Sequence, residues 1–200
     1  AIHIITAISS VAVGVVTAAM ICVLSVMNGF GVMIEELFSQ FDPDLRITAK
    51  AGKSFIINKE TKSQLLSIPS INLVSESITE TALAYFEEKQ MPVQLMGVDS
   101  VFGQLTGIEN IITDGHYEVF DGAFDRAVLG QGLAWKLGIG VHFIHGIEVY
   151  APKREGKVNM LRPDVNFNSE RCFIAGTFAV NQQKYDENLI LVDIDLARRL

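Results

Sequence analysis

The sequence predicts an α+β protein: one N-terminal transmembrane helix, extended as a stalk, leading into a mixed α/β water-soluble domain. Three observations predict it. No Asp, Glu, Lys or Arg occurs before Glu35, so the chain joins an apolar segment to an ordinary charged remainder. The remainder holds short alternating or apolar runs bounded by Gly, Pro and Asp, the mark of strands. Between those runs lie short stretches with helical signals. The domains expected are residues 1–41, helix and stalk, and 42–200, the folded domain. A net charge of −7 excludes nucleic acid as a partner, because phosphates require clustered Lys and Arg. A hydrophobic share of 49% excludes intrinsic disorder.

The run Ile4–Val26, IITAISSVAVGVVTAAMICVLSV, holds 23 residues. As a helix it spans roughly 35 Å, enough for a hydrocarbon core of about 30 Å. A signal peptide would have a shorter apolar core, a basic flank and a small-residue cleavage site, and none of these is present. Thr6, Ala7, Ser10, Gly14, Thr17 and Ala18 recur at spacings of three and four, as in membrane-helix packing. A second stripe is large: Val23, Met27, Phe30 and Ile34. Glu35, Glu36 and Leu37 let the helix continue as a stalk, and Asp42-Pro43 stops it. The first charges after the helix are acidic, which places residues after about 30 outside the cytoplasm. The chain opens without Met and ends in the first turn of a helix, so it is expected to be part of a longer protein.

Past Pro43, DLRITAK alternates Leu45, Ile47 and Ala49 against polar residues and predicts a strand. Asn58 is the expected cap of a helix KETKSQLLSI closed by Pro69. INLVSESITETALAYFEE predicts a long strand, turning at EEKQ into MPVQLMGVD as a hairpin. Residues 102–125 read as a loop with short elements. RAVLGQ, GLAWKLG and GIEVYAP predict strand, helix and strand, with Trp135 in core packing beside Leu133 and Leu137. Residues 152–170 read as an exposed loop, RCFIAGTFAV and LILVDI as strands, and DLARRL as a helix.

Catalytic chemistry is sparse. Gly52-Lys53-Ser54 lacks the glycine a phosphate loop needs five positions before the Gly-Lys pair, since position 47 is Ile. His142 and His145 lack two further ligands at sensible spacing and read as turn residues rather than a zinc site. Cys22 and Cys172 form no framework, because one lies in the apolar segment. Glu35-Glu36 and Glu87-Glu88 read as solvated surface. No catalytic residue and no cofactor is expected.

Leu24–Phe30, LSVMNGF, resembles the signature of the lipoprotein-releasing permeases, a branch of the superfamily that includes macrolide-efflux and cell-division permeases. Gly97–Asp99 (GVD), Leu129–Val141 (LGQGLAWKLGIGV), Glu148–Arg154 (EVYAPKR), Phe173–Val180 (FIAGTFAV) and Leu191–Leu200 (LVDIDLARRL) extend the resemblance in order. One departure is HFIHG at His142–Gly146, where relatives usually carry a Gly-Asp turn.

The resemblance implies a permease subunit in the bacterial inner membrane, with a periplasmic domain between its first and second membrane helices. It implies extraction of lipoproteins, ATP hydrolysis by a separate cytoplasmic ATPase subunit, a second permease subunit and a soluble periplasmic carrier. It also implies two sites. Val23, Met27, Phe30 and Ile34 would contact acyl chains. The loop with Lys153, Arg154, Lys157, Met160, Leu161, Arg162 and Pro163 would bind the carrier. The alternatives are an exporter-like permease and a cell-division-type regulator of a cell-wall hydrolase.

Overall fold

Helix α1 runs Ile2–Phe38, a 37-residue helix with no basic or acidic residue in its terminal turns except at the stalk end. The computed structural model describes residues 2–38, 43, 45–50, 52, 54–142, 144–153 and 166–200, and the side chains of α1 through residue 33. The chain divides into two units, Ala1–Asp42 and Pro43–Leu200. In the first unit, the stretch Ile2–Met33 is long and apolar enough to cross a membrane. Its hydroxyls fold back onto the helix: Thr6 donates to the Ile2 carbonyl, Ser9 to Ile5 and Thr17 to Val13, at 3.0, 3.0 and 2.8 Å. An apolar surround has no water for those groups, so satisfaction within the helix suits that setting.

The second unit contains α2 (Lys59–Leu66), β1 (Ser77–Phe86), β2 (Lys89–Val98), α3 (Phe102–Thr106), a 3₁₀ turn (Ile108–Ile111) and β3 (Ile112–Gly115). It continues with β4 (Arg126–Gly130), α4 (Gln131–Leu137), β5 (Ile147–Pro152), β6 (Phe167–Phe178), α5 (Gln183–Asp186), β7 (Leu189–Asp193) and α6 (Ile194–Arg199). The seven strands form one sheet in the order β3-β6-β4-β7-β2-β1-β5, and β5 also pairs with β6. Six strands therefore close into a ring of hydrogen-bonded neighbours, with β3 attached to β6. Strands β2 and β7 are parallel, as are β4 and β6; the other pairings are antiparallel.

The predicted hairpin is present. A two-residue turn at Glu87-Glu88 joins β1 to β2 in register from Phe86↔Lys89 to Ser77↔Val98. Pro92 sits inside β2 opposite Leu83. That position does not bond to β1, and the pairing of β2 with β7 begins only at Gln94, so the missing N–H interrupts no ladder. Strand β7 is buried throughout Leu189–Val192, and β4 throughout Ala127–Gly130. Strands covered on both faces read as continuous apolar runs, as these two do. The core cluster gathers Ala82, Ala84, Val93, Leu95, Leu129, Val149, Ile174 and Ile190 from the sheet with Leu133 and Leu137 of α4 and Leu196 and Ala197 of α6.

Four differences from the sequence reading have physical reasons. Trp135 is not in the core: it is 83% exposed. Leu133, Ala134 and Leu137 share the inward side of α4, and the helical turn carries Trp135 away from them. Leu45–Lys50 forms no strand; Leu45 is 71% exposed and Ile47 51%. The loop predicted over 152–170 ends earlier, because β6 starts at Phe167 in register with Pro152. Asn58 stands at the N-cap of α2 with extended backbone, but its side chain makes no capping bond; its carbonyl accepts from Lys62 N–H at 3.0 Å.

Helix α6 packs closely on β2 at Gly97. A Cβ built on Gly97 would lie 2.3 Å from Ala197 Cβ and 3.2 Å from Ile194 Cα. Asp193 starts the helix by accepting from Asp195 N–H at 3.0 Å. At its far end Arg199 reaches Asp125 at 2.6 Å and Glu170 at 3.2 Å. Overpacking of this kind costs about 1–3 kcal/mol. Gly97→Ala is expected to lower the stability of the folded domain by about 2 kcal/mol on that scale. Ala197→Gly in the same chain should recover part of the loss, and denaturant titration of the two single and one double variant measures it.

Candidate functional site

Two groups of residues were singled out by sequence, one in each unit. On α1, Val23, Met27 and Phe30 follow one another at four and three residues and so lie on one helix face. All three are more than half exposed, as are the other large apolar side chains of the helix through Met33. Ile34 continues the stripe along the helix, but its side chain lies outside the described ones. A thioether beside a phenyl ring gives an adaptable apolar surface, suited to ligands without fixed shape. The small stripe on the same helix is open too, with nothing within 4 Å of a Cβ built on Gly14.

The second group belongs to the β5–β6 hairpin. Strand β5 pairs with β6 from Ile147↔Cys172 to Pro152↔Phe167, and one more bond follows, from Lys153 N–H to the Asn166 carbonyl at 2.9 Å. Residues 154–165 therefore leave and re-enter the fold at a closed pair of strands. Lys153 is exposed at that mouth. Arg154, Lys157, Met160, Leu161, Arg162 and Pro163 lie outside the described residues.

Below the mouth the hairpin is braced across its two strands. Arg171 on β6 forms an ion pair with Glu148 on β5, and Tyr150 donates to Glu148 Oε2 at 2.8 Å. The Arg171 bond, followed by the Tyr150 bond, holds the Glu148 carboxyl below its ordinary value of 4.5. The same bond to Glu148 raises the Tyr150 phenol.

The remaining reactive side chains do not converge. His142 and His145 are exposed turn residues. Among the described residues no group of three His, Cys, Asp or Glu could hold a metal ion. Cys172 is fully buried in the core, and burial pushes its thiol up to about 12. Tyr117 carries a buried hydroxyl without a hydrogen-bond partner among the described residues, a feature that sequence gave no sign of. Burial, then the charges of Asp99, Glu109 and Asp193, raise its phenol well above the usual range.

A family model, the MacB-like periplasmic core domain, matches residues 6–199. The chain belongs to this family. The match takes in the motifs noted in the sequence, and two of them have a packing role in the structure. In Gly97-Val98-Asp99, Gly97 admits α6 and Val98 is buried. Asp99 accepts from the Ser75 hydroxyl at 2.5 Å and from Glu76 N–H at 3.0 Å, fixing the entry to β1. At Leu129-Gly130, Leu129 is buried, and a Cβ on Gly130 would meet the Asp186 carbonyl at 2.3 Å.

Similar solved structures include the extracellular domain of the noncanonic ABC-type transporter YknZ from Gram-positive bacteria. It is 15% identical, with a TM-score of 0.47, over 71% of this chain and 65% of that one. A permease-protein domain from Porphyromonas gingivalis is 17% identical, with a TM-score of 0.44, over 68% of this chain and 56% of that one. The chain thus spans less than two thirds of the length of either. No curated protein matches it.

The brace makes the hairpin of this MacB-like domain sensitive to acid. Because Glu148 titrates lower in the folded state than its ordinary 4.5, its contribution is present above about pH 4.5 and is lost as pH falls through the lower folded value. Amide exchange in β5 and the first half of β6 should therefore quicken below that pH. Glu148→Gln should show the faster exchange already at neutral pH, with a flatter dependence.

Proposed function

We propose that this chain is the first membrane helix and part of the periplasmic domain of a permease subunit of an ABC transporter that releases lipoproteins from the bacterial inner membrane. The observation that carries the reading is the joining of a MacB-like periplasmic core, matched over residues 6–199, to an apolar helix long enough to span a bilayer. The sequence LSVMNGF at Leu24–Phe30 is the reason for choosing the lipoprotein-releasing branch over the exporter and cell-division branches.

In this reading the chemistry is not the subunit's own. A separate cytoplasmic ATPase supplies the energy and a second permease subunit completes the membrane passage. The exposed stripe Val23, Met27, Phe30 and Ile34 holds the acyl chains of the lipoprotein, where burial of each methylene contributes about 0.8 kcal/mol. The domain follows the helix on the periplasmic side and passes the cargo to a soluble carrier. Lys153, Arg154, Met160, Leu161, Arg162 and Pro163 are its docking loop. Their mixture of cations and apolar side chains suits an acidic surface with an apolar patch.

Photo-crosslinking in cells tests both sites in the full-length protein. A photoreactive residue at Met27 is expected to capture lipoproteins, and one at Leu161 a soluble periplasmic protein. Capture of only neighbouring helices at Met27, with a cell-wall hydrolase or an export duct at Leu161, would overturn the lipoprotein reading.

A further inference from the structure

The β5–β6 hairpin runs past the strands on either side of it. Strand β1 pairs with β5 only from Glu148 to Tyr150, and β4 pairs with β6 only from Phe173 onward. The last two pairs of the hairpin, Ala151↔Asn168 and Pro152↔Phe167, therefore have no third strand paired beside them among the described residues. A two-stranded ribbon is marginal in water by itself, so a projecting end needs support from another element. The Arg171–Glu148 brace ties one strand of the hairpin to the other, but not the hairpin to the body of the domain.

The last turn of α6 supplies that support. Alternate residues of a strand share a face, and on β6 Asn168 and Glu170 lie on the face of the buried Cys172, opposite Ser169 and Arg171. On that face the Asn168 side-chain amide donates to the Leu200 carbonyl at 2.9 Å, and at 3.5 Å to that of Arg199. The Arg199 guanidinium reaches Glu170 at 3.2 Å and Asp125, just before β4, at 2.6 Å. Asp125 is itself fixed to β6, because its carbonyl accepts from Phe173 N–H at 3.0 Å. One planar cation thus joins the projecting arm to the start of a buried strand. The helix that carries it is anchored independently, with Leu196 and Ala197 buried beneath it. Helix α6 is a fixed post, and Arg199 is the attachment of the arm to it.

We propose that Arg199 and Asn168 are positioning residues: they clamp the projecting end of the β5–β6 hairpin to α6 and so fix where the loop beyond Lys153 is presented. The inference rests on the reading of that loop as a docking loop. A clamped mouth stands in one place before its partner arrives, so binding does not have to order it. Removing Arg199 does more than delete a contact. Asp125 and Glu170, drawn to one guanidinium, are left as like charges with no cation between them, and that repulsion drives the arm away.

Pulsed-EPR distances in the full chain, in membranes, test the clamp. One spin label is placed at Lys153→Cys, at the mouth, and the other at Trp135→Cys, on the exposed side of α4. Cys22→Ser removes the exposed thiol, and the buried Cys172 does not label. Arg199→Ala is expected to roughly double the width of the distance distribution, and Asn168→Ala to widen it less. Arg199→Lys should retain part of the order, since it keeps the charge without the fork. Adding Glu170→Gln to Arg199→Ala should narrow the distribution again. Amide exchange in β4 and β7 should not change, which separates loss of aim from loss of fold; if Arg199→Ala unfolds the domain, Asn168→Ala carries the test. Capture of a soluble protein from Leu161 should fall several-fold as the distribution widens. Unchanged widths in both alanine variants overturn the clamp, and a wider distribution with undiminished capture overturns the positioning role. A wider distribution when even the unmodified chain captures no soluble protein overturns the docking reading and leaves the clamp supported.

Discussion

Burial of β4 and β7 on both faces is the constraint from which the rest of the domain follows. Two adjacent strands with no solvated side require cover above and below, and neither can lie at an edge. Strands β6 and β2 flank them as parallel partners, which requires long connections; α4 lies in the one from β4 to β6, and α6 follows β7 and packs on β2. Helices can sit that close only where the underlying strand has no side chain. Gly97 beneath α6 and Gly130 beneath the carbonyl of Asp186 meet that demand, and both lie within the stretch that the family model matches. At these two positions the sequence records a packing tolerance rather than a reacting group.

The same point orders the functional reading. Where a catalytic domain would gather titratable groups in a cleft, the described residues of this one disperse them. The thiol of Cys172 is sealed in the core, the two turn histidines face water, and carboxylates such as Glu148 and Asp125 are held by arginines between strands and helix. What the domain offers instead is a braced scaffold with a helix at one end of the sequence and an exposed hairpin mouth within it.

Much of the fold was legible because strong local signals agreed with tertiary burial. The apolar run of α1, the continuous apolar strands β4 and β7, and the hairpin through Glu87-Glu88 each carry such a signal, and each is present. Misreadings arose where packing, not pattern, decides. Trp135 is the largest apolar residue of α4, yet the helical phase set by Leu133, Ala134 and Leu137 turns it outward. Leu45–Lys50 alternates as a strand should, but pairing depends on a neighbour's free edge, which no local pattern reveals. Strand β6 begins among polar residues, Phe167-Asn168-Ser169-Glu170, because its first half pairs with β5 while remaining largely exposed. Of the candidate sites, spacing accounts only for the shared helix face of Val23, Met27 and Phe30; the Ile34 side chain and residues 154–165 of the loop lie outside the described residues.

The bond that closes the β5–β6 mouth, from Lys153 to Asn166, carries an evolutionary consequence. Whatever lies between those two residues enters and leaves through one fixed gate, so its length and composition can change without shifting the register of either strand. For a loop anchored at both ends, each doubling of length costs only about 0.6 kcal/mol of closure entropy. The sequence between the two residues is thus free to vary while the buried strands, and the glycines that let helices lie on them, stay as they are.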